Sequence, residues 1–342
     1  MDKRVIFAVA GSGKTTHIIS KLTLDKRFLI LTYTVNNIQT LRSCIIKKFG
    51  YFPDNIKLQS YFVFLHSFCF KPLLSYCMKS KGINWNKPPE FTLRLRRTDE
   101  KFYMDSNNKL YHNRIAKFCE TQNILSDINN RIEKYFDCFF IDEIQDFAGH
   151  DFNLLKSLVK VNCEILFVGD FFQHTFDTSN DGNVNSAIFN NYNSYKKLFQ
   201  NMGLIVDTTT LQNSYRCSKT VCEFIKNNLG ISISSTTDRF SILKIIDNQI
   251  EADNIVNDNS IVKLFYRENY KYDCYSQNWG GSKGINHYND VCVVLNKTTK
   301  QAFDKQQFSA LSAQTKNKLY VACSRANNNL YFVSYEFVKK KE

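Results

Sequence analysis

The apolar run Val5-Ile6-Phe7 leads without a break into Ala8-Val9-Ala10-Gly11-Ser12-Gly13-Lys14-Thr15-Thr16. This segment narrows the possible folds sharply. A buried strand must end in a glycine turn, and a helix, expected over roughly Thr15 to Leu24, must begin at once. Gly11 and Gly13 allow the backbone to curl so that successive N–H groups face phosphate oxygens, and the helix start adds partial positive charge. In such a phosphate-binding loop Lys14 reaches the β- and γ-phosphates and the Thr15 hydroxyl ligates magnesium. Ala8 stands where the general motif has glycine.

A second segment supports the same chemistry. Cys138-Phe139-Phe140-Ile141 reads as a buried strand, and it ends in Asp142, Glu143, Gln145 and Asp146. Charges at the end of such a strand suit a site at the edge of a parallel sheet. Asp142 is expected to hold magnesium, directly or through water, and Glu143 to orient or deprotonate an attacking water. An Asp-Glu pair alone is more often an exposed acidic loop. The phosphate loop upstream overturns that reading and makes ATP with Mg2+ the expected ligand.

With 342 residues, the chain has room for about two ordinary domains. No apolar stretch approaches the ~20 residues of a membrane helix, and Val5–Ala10 is too short for a signal peptide. The net charge of +13 favours a polyanionic partner, nucleic acid being the default. The eleven cysteines form no Cys-x-x-Cys pair. Cys138, Cys163, Cys292 and Cys323 lie in apolar, strand-like runs and read as buried thiols of a cytoplasmic protein. His66 and Cys69 have ligand-like spacing, but no second pair completes a metal site.

Strand-like runs recur at Val5–Val9, Phe28–Thr32, Cys138–Ile141, Ile165–Val168, Val291–Leu295 and Leu330–Val333, with helical stretches between them. This alternation predicts an α/β chain with parallel sheets. Residues 71–134 hold three of the four prolines and the basic stretch Arg94–Arg97, and read as an insertion. The pattern weakens again over 230–277. No internal repeat or heptad array is visible.

An ordered series of motifs resembles the UvrD/Rep/PcrA-like branch of superfamily 1 helicases. After the phosphate loop, Thr32-Tyr33-Thr34-Val35-Asn36 is similar to a Thr-Phe-Thr-Asn segment, with Val35 as an extra residue. Phe64-Leu65-His66-Ser67-Phe68 resembles Thr-Phe-His-Ser-Phe, and Asp142–Asp146 has the form Asp-Glu-x-Gln-Asp. Gly169-Asp170-Phe171-Phe172-Gln173 matches Gly-Asp-x-x-Gln, and Ser214-Tyr215-Arg216-Cys217 is similar to Asn-Tyr-Arg-Ser. Ser282-Lys283-Gly284 before Val291–Leu295 resembles a Lys-Gly-Leu-Glu-Phe-x-x-Val element. Tyr320–Ala326 resembles Tyr-Val-Ala-x-Thr-Arg-Ala.

The resemblance implies two RecA-like P-loop domains, over 1–205 and 206–342, with parallel sheets and an ATP cleft between them. The insertions reduce to about 71–134 in the first and 230–277 in the second. It assigns the nucleotide to Ala10, Gly11, Ser12, Gly13, Lys14, Thr15 and Thr16, to Tyr215 stacked on adenine, and to the Gly284 turn. Gln173 contacts the γ-phosphate or attacking water, while Arg216 and Arg325 act as arginine fingers. Thr34, Asn36, His66 and Phe176 would touch single-stranded DNA, with RNA an open possibility.

Several positions depart from the pattern. Thr16 stands where an arginine is usual, and Thr178 where a base-stacking tryptophan is common. Only Met1–Arg4 precede the first strand, so a glutamine motif reading adenine is not expected, and nucleotide selectivity should be relaxed. The implied activity is a nucleic-acid-dependent ATPase moving on single strands, with oligomeric state and duplex unwinding left open. One alternative is an ATP-driven switch gating a protein partner such as a nuclease in a DNA-processing or phage-defence complex. A small-molecule kinase has little use for Gln173, the Ser282–Gly284 turn and Arg325 together.

Overall fold

The computed structural model describes residues 1–175 and 184–341. The chain forms two compact units by backbone contact. The first comprises Met1–Ile6, Thr15–Gly169 and Phe176–Asp207. The second comprises Phe7–Lys14, Asp170–Thr175 and Thr208–Glu342. Two short segments, the phosphate loop and the turn from Asp170, therefore pack with the second unit, although strand order and the family resemblance place them in the first domain.

The first sheet has six strands: β1 (Lys3–Phe7), β2 (Phe28–Thr32), β3 (Ile56–Ser60), β6 (Cys138–Asp142), β7 (Glu164–Gly169) and β8 (Ile205–Asp207). Their order is β3-β2-β6-β7-β1-β8. β2 and β6 are buried at every position. Strands covered on both faces have no solvent side, so Phe-Leu-Ile-Leu and Cys-Phe-Phe-Ile run apolar without alternation. β6 and β7 pair in parallel with Asp142 beside Val168, which brings the acidic end of β6 to the edge where β7 finishes at Gly169.

Residues 71–134 form small elements of their own, including the two-stranded parallel ladder of β4 (Ile83–Asn84) and β5 (Leu110–Tyr111). Arg114 lies at the heart of this region at 1% exposure. Its guanidinium donates to Thr92 Oγ1 at 2.9 Å and Phe102 O at 2.6 Å, and lies over the Phe102 ring at 3.9 Å. A buried arginine needs such hydrogen bonds and ring contacts to offset its lost hydration.

The second unit opens with the short parallel pair β9 (Asn213–Ser214) and β10 (Ser234–Ser235). Its main sheet has the order β11-β15-β14-β12-β13. These strands are β11 (Leu243–Ile246), β12 (Ile261–Phe265), β13 (Ser276–Asn278), β14 (Asp290–Leu295) and β15 (Leu330–Ser334). Residues 230–277, read in the sequence as a reduced insertion, contain strands of this sheet. They supply β11 and β12, and β12 pairs directly with β14. Lys263 interrupts the apolar run of β12 yet is fully buried, with Nζ donating to Asp258 O at 2.7 Å and Ile261 O at 2.9 Å.

All eleven cysteines are unbridged. Cys138 and Cys292 lie in strands and Cys163 immediately precedes β7. Cys323, expected in a strand-like run, instead ends the helix Ala313–Cys323. No helix of the described residues is long and apolar enough to cross a membrane.

Candidate nucleotide and nucleic-acid sites

The phosphate loop is shaped by backbone geometry that its glycines permit. Gly11 and Gly13 have φ of 71° and 85°, in the left-handed region that costs other residues steric strain. Gly11 also needs the missing side chain, because a Cβ there would lie 2.6 Å from Arg216 Cβ and 2.7 Å from Ser214 Oγ. Ser12 is buried and its hydroxyl donates to Val9 O at 2.8 Å, closing the turn. The helix that follows spans Lys14–Ser20, shorter than expected. Lys14 and Thr15 are partly exposed and Thr16 is exposed.

Other segments of the second unit fix this loop. Val9 N donates to Leu211 O at 2.9 Å, and Tyr215 N donates to Gly11 O at 2.9 Å. Ala10 N donates to the Tyr320 hydroxyl at 2.8 Å, and that hydroxyl donates to Asp170 Oδ2 at 2.8 Å. Burial pushes the Tyr320 phenol well above its ordinary range, so it stays protonated and able to donate. Asp170 also accepts from Phe172 N at 3.1 Å, starting the turn Phe171–Gln173 that carries the buried Gln173. Tyr320 and Asp170 both lie in motifs visible in the sequence, but the bond between them is not. A contact across 310 positions leaves no periodic signal to find it by.

The two arginines read as fingers differ in setting. Arg216 is partly exposed, with Nη1 donating to Ser324 O at 3.2 Å and Nη2 donating to Asn286 Oδ1. Arg325 is 2% exposed and donates from Nε to Val321 O at 3.1 Å and from Nη1 to Ile285 O at 3.2 Å. Tyr215 is 71% exposed, leaving its ring available to a planar ligand. Gly284 has φ of 83° and lies two residues after the turn Gly280–Ser282, where the Ser282 hydroxyl donates to Trp279 O at 2.7 Å.

In the first unit the acidic end of β6 is buried and strained. Asp142, Glu143, Gln145 and Asp146 are all under 8% exposed. Glu143 adopts φ 61° and ψ 48°, a left-handed conformation that costs a non-glycine residue about 1–2 kcal/mol. It is held there from both sides: its N–H donates to Asp142 Oδ1 at 3.1 Å, and Gln145 Nε2 donates to Glu143 Oε2. Gly169 makes room for the turn, since a Cβ would lie 2.8 Å from Ile144 Cγ2 and 3.0 Å from Ile144 N. Strain retained at a buried carboxylate is typical of functional positions.

The positions read as touching nucleic acid sit at the starts of two helical segments of this unit. Thr34 caps the helix Val35–Phe49, its hydroxyl accepting from Asn37 N at 3.2 Å, and Asn36 is exposed. His66 lies in a π-helix over Phe64–Phe70 and stacks on Phe70 with centroids 5.9 Å apart. Such wide turns are rare and occur often at functional sites. Burial, helped by Lys71, lowers the His66 pKa and favours the neutral ring. Phe176 and Thr178 fall outside the described residues.

For magnesium, the donor chemistry of Asp142 and Thr15 suits an ion whose shell is completed by phosphate oxygens and water. Among the described residues, no three or more His, Cys, Asp or Glu side chains gather as a metal cage.

The viral superfamily 1 RNA helicase core domain matches residues 94–334, more than half of the 342-residue chain. The chain belongs to this family. A superfamily 1 helicase core implies nucleotide use. Two solved structures of Arterivirus nonstructural protein 10 (helicase) have a similar fold. The complex with DNA has a TM-score of 0.52 at 11% identity, covering 97% of this chain and 60% of that one. A second structure of that helicase has a TM-score of 0.50 at 12% identity, covering 98% and 62%. The chain thus spans about three-fifths of their length. No curated protein matches it.

Proposed function

We propose that this superfamily 1 helicase core is a nucleic-acid-dependent ATPase that moves along single-stranded DNA or RNA. The observation that carries the reading is the Glu143 turn, where a buried carboxylate is held in a strained conformation by Asp142 and Gln145. A carboxylate held in this way is preorganised to take a proton from water.

Bound ATP and magnesium supply the phosphoanhydride and its Lewis acid. Lys14 and the N–H groups of the Gly11–Gly13 loop bind phosphate oxygens, and Thr15 and Asp142 hold the ion. Glu143 orients and deprotonates water, and Gln173 positions it. Arg216 and Arg325 stabilise charge developing on the transferred phosphoryl group, and Tyr215 stacks on the base. Thr34, Asn36 and His66 contact the strand. The Asp142–Asp146 and Ser214–Cys217 forms support a UvrD-like motor within the superfamily, with strand separation secondary to movement.

Phosphate release measured with and without single-stranded DNA, duplex DNA and RNA tests the proposal. Turnover should rise with a single strand at low salt. Turnover indifferent to every nucleic acid would sink it.

A further inference from the structure

The region 71–134 holds thirteen basic and seven acidic residues, so nearly half of the chain's net +13 lies in this segment. The ladder of β4 and β5 pairs Ile83 with Leu110 and Asn84 with Tyr111. The next residues in that register are Trp85 and His112. Their rings stack with centroids 5.6 Å apart and planes at 29°. Phe62 meets both edge-on, Trp85 at 5.0 Å and His112 at 5.6 Å, and Tyr33 meets Phe62 at 5.5 Å. Tyr33 directly precedes Thr34, and Phe62 lies four residues before His66. The aromatic chain therefore runs from the two segments read as touching nucleic acid to Trp85.

The stack is anchored by polar contacts. The His112 ring nitrogen Nδ1 lies 3.3 Å from Asn84 O, and Asn84 Nδ2 donates to Asp105 Oδ2 at 2.7 Å. Asn86 N donates to Asn84 Oδ1 at 2.9 Å, fixing the chain beyond Trp85. Even so, Trp85 stays 60% exposed, and Lys81 and Lys87 beside it in sequence are exposed too. Burial lowers the His112 pKa, favouring a neutral ring behind the indole. A large aromatic face held in place yet open to water, among cations, matches what an unstacked base requires.

We propose that Trp85, backed by His112 and Phe62, is a stacking platform for a base of single-stranded nucleic acid. The inference rests on the reading that the chain binds single strands. It extends the track beyond the motif residues to a surface formed by the region 71–134. Stacking is indifferent to base identity, so the platform suits a motor that must pass any sequence.

The chain's other tryptophan, Trp279, is fully buried and donates to Leu264 O, so a ligand-dependent emission change can be assigned to Trp85. Oligothymidylate or oligouridylate should quench emission of the wild-type chain, and a duplex of equal length should quench it less. W85F should lose that quenching while keeping most of the affinity. W85A should weaken single-strand binding about 5- to 150-fold, the range expected for one stacked base. Its salt slope should stay unchanged, because no phosphate contact is removed. H112A should weaken binding less. Unchanged affinity in W85A, or quenching that survives in W85F, overturns this inference and leaves the proposed function standing. A wild-type chain that binds no single strand overturns both.

Discussion

The Tyr320 hydroxyl donates to Asp170 Oδ2 and accepts from Ala10 N, each at 2.8 Å. One buried oxygen thus joins the phosphate loop to the turn carrying Gln173 and to the helix that leads to Arg325. Tyr320→Phe removes that oxygen and little else. It leaves the Ala10 N–H, on a fully buried residue, without its acceptor, a loss worth about 1–3 kcal/mol. Urea unfolding should register the loss. ATP turnover should fall while the fold persists, and unchanged stability and turnover would show that the bond contributes nothing.

Glu143→Gln keeps the shape of the buried turn and removes the base. Nucleotide should still bind, measured with a fluorescent analogue, while phosphate release falls about 10²–10⁴-fold, the usual worth of a general base. Gly169→Ala reaches the same turn from β7, where the added methyl would crowd Ile144 and Gln145. It should depress turnover more than nucleotide affinity, because it displaces the water-activating group. An Ala variant with wild-type turnover would show that the turn tolerates movement.

Much of this arrangement was legible from residue order. β2 and β6 are continuous apolar runs because both their faces are covered, and the Gly11–Gly13 loop follows from backbone chemistry that few other residues permit. β12 was not legible, because Lys263 breaks its run and its burial depends on carbonyl partners that only the fold supplies. β11 escaped notice as an edge strand that is only partly covered. The Tyr320 relay depends on contacts 150 and 310 positions apart in sequence. Local pattern does not encode such contacts.

Acidification should weaken the fold from just below pH 6.5. His66 and His112 both have pKa values lowered from 6.5, chiefly by burial. Unfolding raises each pKa, so the unfolded chain binds more protons in that window and gains stability relative to the fold. The histidine contribution is fully present above pH 6.5 and is lost as pH falls through the folded values. Thermal unfolding between pH 7.5 and 5.5 should show a falling midpoint, less steep in His66→Gln and His112→Gln. Equal slopes in wild type and variants would assign the acid sensitivity elsewhere.

Gly11 and Gly50 separate two roles of a left-handed glycine. Both have positive φ, 71° and 82°, but no atom lies within 4 Å of a Cβ built at Gly50, whereas one at Gly11 would meet Arg216 and Ser214. Gly50→Ala should therefore cost only the backbone term, about 1–2 kcal/mol, and leave turnover intact. Gly11→Ala carries the same backbone term and must also push Arg216 and Ser214 aside, since their backbone is tied to the loop through Tyr215 N and Gly11 O. It should lose more stability than Gly50→Ala and most of its turnover, read by urea unfolding and phosphate release on both variants. Equal losses in the two would mean that the close approach of Arg216 to the phosphate loop carries no weight.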